Sequence, residues 1–388
     1  MREIAEGALI YAEVINDYTE LKISPTSSFY SDYTPINAGM RDYVTGFESD
    51  YYRLRFGGYV SRENVEITEG ERLANNIISS VNVNSVCTSS LNNKENYTEV
   101  KFKISENLPV DIKVSGDKMT ATFFEAVTKE NTAVSISKNP MITDIAYESD
   151  EEKAVFTISL VSEYNYYGCN GTYEDGCYVL RLNNPQSLVD SEKPLTGKTI
   201  VVDAGHGGND SGATGPVGYS QDGFDEASLN LAAALELQRI LTEKGAEVVM
   251  LRSDDSRVEL LDRAKTLSEM LPDLEISIHH NSIDSSVNSL KVRGTTALYS
   301  NASGKLIAKA LSENMALRLG KLDRGYDYQK LAVVRNHRFP SALCEVCFMS
   351  NPEEYQWAVT EGNAERTALA IYEGIIEYYQ TQSELYLK

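Results

Sequence analysis

The chain has 388 residues, 42% hydrophobic and 24% charged, the composition of folded domains with cores of their own. Fifty-seven acidic residues against 36 basic ones leave a net charge of −21, which argues against a nucleic-acid partner and against direct binding to an anionic membrane. No apolar run approaches the roughly 18 residues of a membrane span, and the opening MREIAEGALIYAEV lacks the basic start and long apolar core of an export signal.

Strand patterns dominate residues 1–190. The segment YYRLRFGGYVSRENVEI (51–67) alternates around a Gly-Gly turn. VKFKI (100–104), MTATFF (119–124), AVFTISL (154–160) and CYVLRL (177–182) are short β-type runs separated by Asn, Asp, Ser and Gly. The expectation is an all-β half in two units, residues 1–70 and 71–190, the second a small β-sandwich. Cys169 and Cys177 bracket NGTYEDG, whose Asn-Gly and Asp-Gly pairs signal a turn. A disulfide across that turn in an exported protein, and two thiols in a plain hairpin, fit this pattern equally. A polar stretch with two prolines and a glycine follows, and residues 191–198 read as a linker.

From residue 199 strands and helices alternate. TIVVD (199–203) precedes EASLNLAAALELQRILTEKG (226–245), whose apolar residues fall near a 3.6 period and whose Gly245 suits a helix end. AEVVML is the next strand. The segment 256–271 then carries Ser256 and Glu259 at capping-box spacing, which predicts a helix opening there. LEISIH and TTALY are strands, SGKLIAKALSENMALRLG a helix closed by Gly320, SALCEV a strand, and NAERTALAIYEGIIEYY an amphipathic helix. This alternation predicts an open α/β sheet over 199–388 with helices on both faces.

The four histidines all lie beyond residue 200, at 206, 279, 280 and 337. His206 follows a buried-type strand and a small-residue turn, and His279 ends another apolar strand. Functional groups in open α/β sheets collect at such carboxyl ends. Glu226, in an acidic stretch where a helix begins, could join His206 and His279 as a third metal ligand, and zinc takes such nitrogen and carboxylate donors. By itself Glu226 reads equally as an acid at a helix dipole. Glu345 sits in the apolar run LCEVCF, where a carboxylate is costly to bury and would suit a general base. Asn281, Arg293 and Arg335 are candidates for substrate contact, with structural salt bridges an equal alternative for the arginines.

Several ordered motifs resemble those of zinc-dependent N-acetylmuramoyl-L-alanine amidases of bacterial cell walls (amidase type 3). VVDAGHGGNDSGA looks like that family's opening motif, SIHHN like its SIHAN, CEVCFMSN like its VELGFLSN, and RGTTALY and LAVVRN like further segments. The resemblance covers about 196–385. It implies that His206, Glu226 and His279 hold Zn²⁺ and that Glu345 is the catalytic base. The implied reaction is cleavage of the lactyl–L-alanine amide of peptidoglycan by a secreted, wall-acting hydrolase. Two residues depart from the pattern. Cys347 replaces the usual glycine and, by strand alternation, is expected on Glu345's side, with its thiol a filler, a soft ligand or an oxidation-sensitive brake. His280 replaces a small residue. In the first β unit, GGYVSRENVEI resembles the closing strands of bacterial SH3-like wall modules; at the end of the second, CYVLRLNNP resembles the close of β domains that precede some wall amidases. The interval 282–334 lacks room for a long regulatory helix, which predicts a site that is open without an activator.

Overall fold

A computed structural model describes residues 2–3, 10–27, 30–70, 76–87, 96–216, 224–284 and 286–387. The chain separates into two compact units, one formed by 1–87, 96–165 and 169–184, the other by 88–95, 166–168 and 185–388.

The described residues of the first unit are β-rich, with a single 3-10 turn at Arg62–Asn64. Strands Arg41–Glu48, Tyr51–Leu54, Tyr59–Ser61, Ile10–Val14 and Val65–Glu69, with the short Arg2–Glu3, make an antiparallel sheet. Its interior holds Ala12, Val14, Leu21, Met40, Leu54 and Val60. Two further sheets follow. One has four strands in the order Ile142–Ser149, Lys153–Leu160, Lys118–Phe124, Val110–Ser115. The other has five, in the order Ala126–Ile136, Asn76–Cys87, Asn96–Lys103, Cys177–Asn183, Cys169–Glu174. Alternation on Lys118–Phe124 and Lys153–Leu160 sends Phe123 and Phe156 inward, where they meet Phe102 of the other sheet at 4.9 and 5.1 Å between ring centroids. Aromatic contacts thus join these two sheets.

No disulfide joins Cys169 and Cys177. The hairpin register sets Cys169 opposite Leu182 and Cys177 opposite Glu174. Their places are therefore five rungs apart, about 17 Å along the ladder at 3.4 Å per residue, whereas a disulfide needs Cα atoms within about 7 Å.

In the second unit six strands are labelled β1 Thr199–Ala204, β2 Glu247–Met250, β3 Leu274–Asn281, β4 Thr295–Tyr299, β5 Asp323–Tyr328 and β6 Ser341–Phe348. The helices are α1 Glu226–Glu243, α2 Leu260–Met270, α3 Lys305–Leu319, α4 Pro352–Ala358 and α5 Asn363–Leu387. The sheet order is β2-β1-β3-β6-β4-β5. All neighbours are parallel except β4 and β6. β1, β3 and β6 consequently release their carboxyl ends along one edge. Leu267 of α2 packs with Val201 and Phe339, on the strand face opposite the one that carries Ile200, Val202 and α1, so helices cover both faces.

The local signals hold for α1, whose Asp225 side chain caps the Ser228 N–H, and for α3, which ends on left-handed Gly320. They fail at α2. Ser256 gives its N–H to Asp254, Glu259 pairs with Arg257 at 2.6 Å, and the helix begins only at Leu260. Residues 191–198 group with the α/β unit: Leu195 is buried and its N–H bonds the Lys244 carbonyl at 3.0 Å.

Candidate metal centre

β1 ends at Ala204, and the chain turns through Gly205 into His206, which adopts φ +62°. That left-handed backbone is unusual for a residue with a Cβ. It aims the imidazole back over the sheet edge, with Nε2 3.2 Å from Glu226 Oε1. Glu226 is the first residue of α1, brought there by the Asp225 cap. Its Oε2 accepts the Ala213 N–H at 2.8 Å, and its Oε1 accepts the His280 N–H at 3.2 Å. His279, near the end of β3, completes the group with Nδ1 3.0 Å from the same Oε1.

The donor atoms of His206, Glu226 and His279 all lie within 4.8 Å of one another. Zinc bonds of about 2.0–2.1 Å at tetrahedral angles place ligands about 3.3 Å apart, so the spacing and the donor chemistry both fit that ion. His206 Nδ1 faces Asp210 Oδ2 at 3.0 Å, a partner of the kind that fixes which ring nitrogen points inward.

The electrostatics suit a cation. The hydrogen bond to Glu226 pushes His206 up to about 9, against the effect of burial and with help from Asp210. Burial works to raise Glu226, yet the bonds from His206 and His279 hold it well below the usual carboxylate range. One negative carboxylate is thus held between two imidazoles, and an ion bound there would displace the proton of His206.

β6 brings Glu345 beside this group, because the register pairs His279 with Glu345. The residue is half-buried, but Oε2 is sealed from solvent and has no hydrogen-bond partner. Desolvation pushes this carboxyl up to about 7, near the value a general base needs at neutral pH.

His280 stands apart from the donors. Its buried ring turns to α1, with Nδ1 2.8 Å from Asn230 Oδ1, and burial pushes it down to about 4. Cys347 also turns away. A register shift between the His279–Glu345 and Asn281–Phe348 pairs breaks the alternation, and the thiol donates to the Glu354 carbonyl at 3.8 Å. Cys344 is buried as well.

Asn281 ends β3, close in sequence to the donors, and its Oδ1 accepts the Ser282 N–H. Arg293 is exposed and lies 3.8 Å from Glu353 of α4. Arg335 falls between Val334 and Asn336, whose carbonyls bond Asn301, and Val334 also bonds Ser341 at the start of β6. That is the amino edge of the sheet, about 13 Å of strand from Glu345. The sequence reading missed Asp210, Asn230, Arg252 and Arg263. Asp210 was legible inside GHGGNDSGA, whereas nothing local marked the others.

An open sheet that presents two imidazoles and a carboxylate at its carboxyl edge, with a desolvated carboxyl alongside, has the parts a metal-assisted hydrolase uses. Residues 200–377 match the family model of N-acetylmuramoyl-L-alanine amidase. Over 189 residues the chain is 31% identical to N-acetylmuramoyl-L-alanine amidase LytC of Bacillus subtilis, covering 49% of this chain and 37% of that one. It is 32% identical over 200 residues to the probable cell wall amidase LytH of Staphylococcus epidermidis, covering 52% and 65%. It thus spans less than two thirds of either relative. The solved catalytic domain of CwlV, an N-acetylmuramoyl-L-alanine amidase from Bacillus (Paenibacillus) polymyxa, is 36% identical, with 47% of this chain and 98% of that one covered and a TM-score of 0.43. The chain belongs to the N-acetylmuramoyl-L-alanine amidase family.

Proposed function

We propose that this protein hydrolyses the amide bond between the lactyl group of N-acetylmuramic acid and the L-alanine of the stem peptide in peptidoglycan, with zinc as its cofactor. The observation that carries the reading is the convergence of His206, Glu226 and His279, with Glu345, whose buried Oε2 has no hydrogen-bond partner, paired in register with His279. Zinc bound by those three residues supplies a Lewis acid that polarises the scissile carbonyl and acidifies water.

The protein's own groups do the rest. Asp210 orients His206, and Glu226 neutralises part of the cation's charge. Glu345 takes the proton of the attacking water at its unpartnered oxygen and passes it to the nitrogen of the departing alanine. The products are glycan with a free lactyl carboxyl and a stem peptide with a free N-terminus. Asn281, at the end of β3, is assigned a substrate contact.

The family and the wall amidases among its relatives support action at the cell wall outside the membrane, and no described helix is long and apolar enough to cross a membrane. The β unit is assigned to wall attachment, with its first sheet as an SH3-like module. Between Ser282 and Val334 the described residues hold one α-helix, Lys305–Leu319, which supports a site that works without an activator protein.

The test is digestion of purified peptidoglycan by the wild type and Glu345→Gln, with zinc content assayed in each. Release of N-terminal alanine by zinc-loaded wild type, and loss of about 10²–10⁴-fold in rate by a variant that keeps its zinc, is the expected result. Cuts within the stem peptide, or no release, would reject the amidase assignment.

A further inference from the structure

Two arginines are buried beside the metal centre with no part in the chemistry described so far. Arg252 follows β2 and Arg263 lies on α2, and they are 3% and 4% exposed. Burying a guanidinium is unfavourable unless its N–H groups find acceptors. Most of the acceptors found here are main-chain carbonyls of the segments that carry the ligands.

Arg252 Nε donates to Ala204 O at 2.8 Å, and its Nη2 donates to both Gly205 O at 2.7 Å and Ala227 O at 2.8 Å. Its Nη1 donates to Asp254 O. Arg263 Nη1 donates to Ala204 O at 2.9 Å and its Nη2 to His206 O at 2.7 Å, while Nε reaches Val258 O. Its charge is met by Asp203, fully buried and held by Ser277 Oγ at 2.9 Å.

These carbonyls lie where β1 leaves the sheet. The ladder with β3 ends at Ala204 opposite Ile278, and Gly205 N–H to Ile278 O is the next bond after it. Carbonyls 204, 205 and 206 then need donors from elsewhere. The first ligand, His206, sits in this turn with a left-handed backbone. The second, Glu226, immediately precedes Ala227. Arg252 therefore bridges the two ligand-bearing segments through a single Nη2, and Arg263 sets the peptide plane that follows His206.

We infer that Arg252 and Arg263 are positioning residues for the metal site, a planar two-arginine clamp that fixes His206 relative to Glu226. This inference rests on the zinc-hydrolase reading above. A guanidinium can hold several carbonyls in a fixed plane; an ammonium is a single point and cannot. Lysine at either position keeps the charge and loses the geometry.

The experiment uses the full chain with cobalt(II) as the probe, measuring its dissociation constant by chelator competition and its visible absorption. Arg252→Lys and Arg263→Lys are compared with wild type, His206→Ala and Arg338→Lys. Arg338 is a buried arginine that donates to the Ser268 carbonyl and serves as a control for stability loss alone. Each protein is assayed below its own unfolding temperature, so either clamp variant that folds suffices. The expected result is cobalt binding weaker by about 10–100-fold with an altered absorption spectrum in the clamp variants, and a wild-type spectrum in Arg338→Lys. Wild-type affinity and spectrum in the clamp variants, with stability alone reduced, would reduce them to structural residues and overturn the inference. Cobalt binding that is absent from wild type, or that survives His206→Ala, would overturn the metal reading and the clamp with it.

Discussion

Gly205 lies under the imidazole of His279: a Cβ built on it would stand 2.2 Å from ring atoms Cε1 and Nε2. The turn that delivers one histidine therefore also forms the floor beneath the other. Gly205→Ala is expected to lift the His279 ring from its place and weaken zinc binding by about 10–100-fold, with the fold retained by circular dichroism. Unchanged affinity in a zinc titration against a chelator would mean the ring is not held by this contact.

Asp210 is expected to act on the metal through His206. Asp210→Asn keeps the shape and removes the charge 3.0 Å from His206 Nδ1. Zinc affinity should fall about tenfold or more, while thermal stability of the metal-free protein changes little, because Asp210 is only partly buried, its side chain 47% exposed. Equal zinc dissociation constants for variant and wild type would remove Asp210 from this role.

His280 and His279 are neighbours with different work. His280→Ala should still bind one zinc per chain but lose about 1–3 kcal/mol of stability, since Asn230 Oδ1 loses its buried partner. His279→Ala should lose the zinc. Metal analysis and chemical denaturation of the two variants make the check, and loss of zinc in His280→Ala would reverse the assignment.

Asp42 makes stability depend on pH in the β unit. Burial is the largest cause that pushes this carboxyl up to about 7, against a bond from the Phe56 N–H. The folded state then binds more protons than the unfolded state between about 4 and 7. Stability contributed here is full below the unfolded pKa and is lost as pH rises through about 7. Amide exchange of residues 41–61 should show protection falling over that window in wild type and staying flat in Asp42→Asn. A window of the same depth in the variant would assign it to another group.

The α/β half was legible because its signals are local. Helix periods in α1, α3 and α5, apolar strands, and histidines at strand ends need only neighbouring residues to be read. The β half was legible as a class, but strands such as Val110–Ser115 and Ile142–Ser149 escaped notice. Both carry apolar residues at half their positions, Val110, Ile112 and Val114 in strict alternation, and pairing with Lys118–Phe124 and Lys153–Leu160 fixes them as strands. The α2 start was misread because Arg257 competes for Glu259.

By itself the sequence determined the donor types, their order and their attachment to two strand ends and a helix start, since residue chemistry and an element's direction are properties of short segments. Tertiary structure alone decided which atoms meet. The β3–β6 register set Glu345 beside His279, a shift in that register turned Cys347 toward α4, and the five-rung offset kept Cys169 from Cys177. It also placed Arg335 at the far edge of the sheet and gathered Arg252 and Arg263 under His206. The pairing of His279 with Glu345 and the arginine contacts join residues tens of positions apart, and their free energy comes from burying and satisfying polar groups together, which no local pattern records.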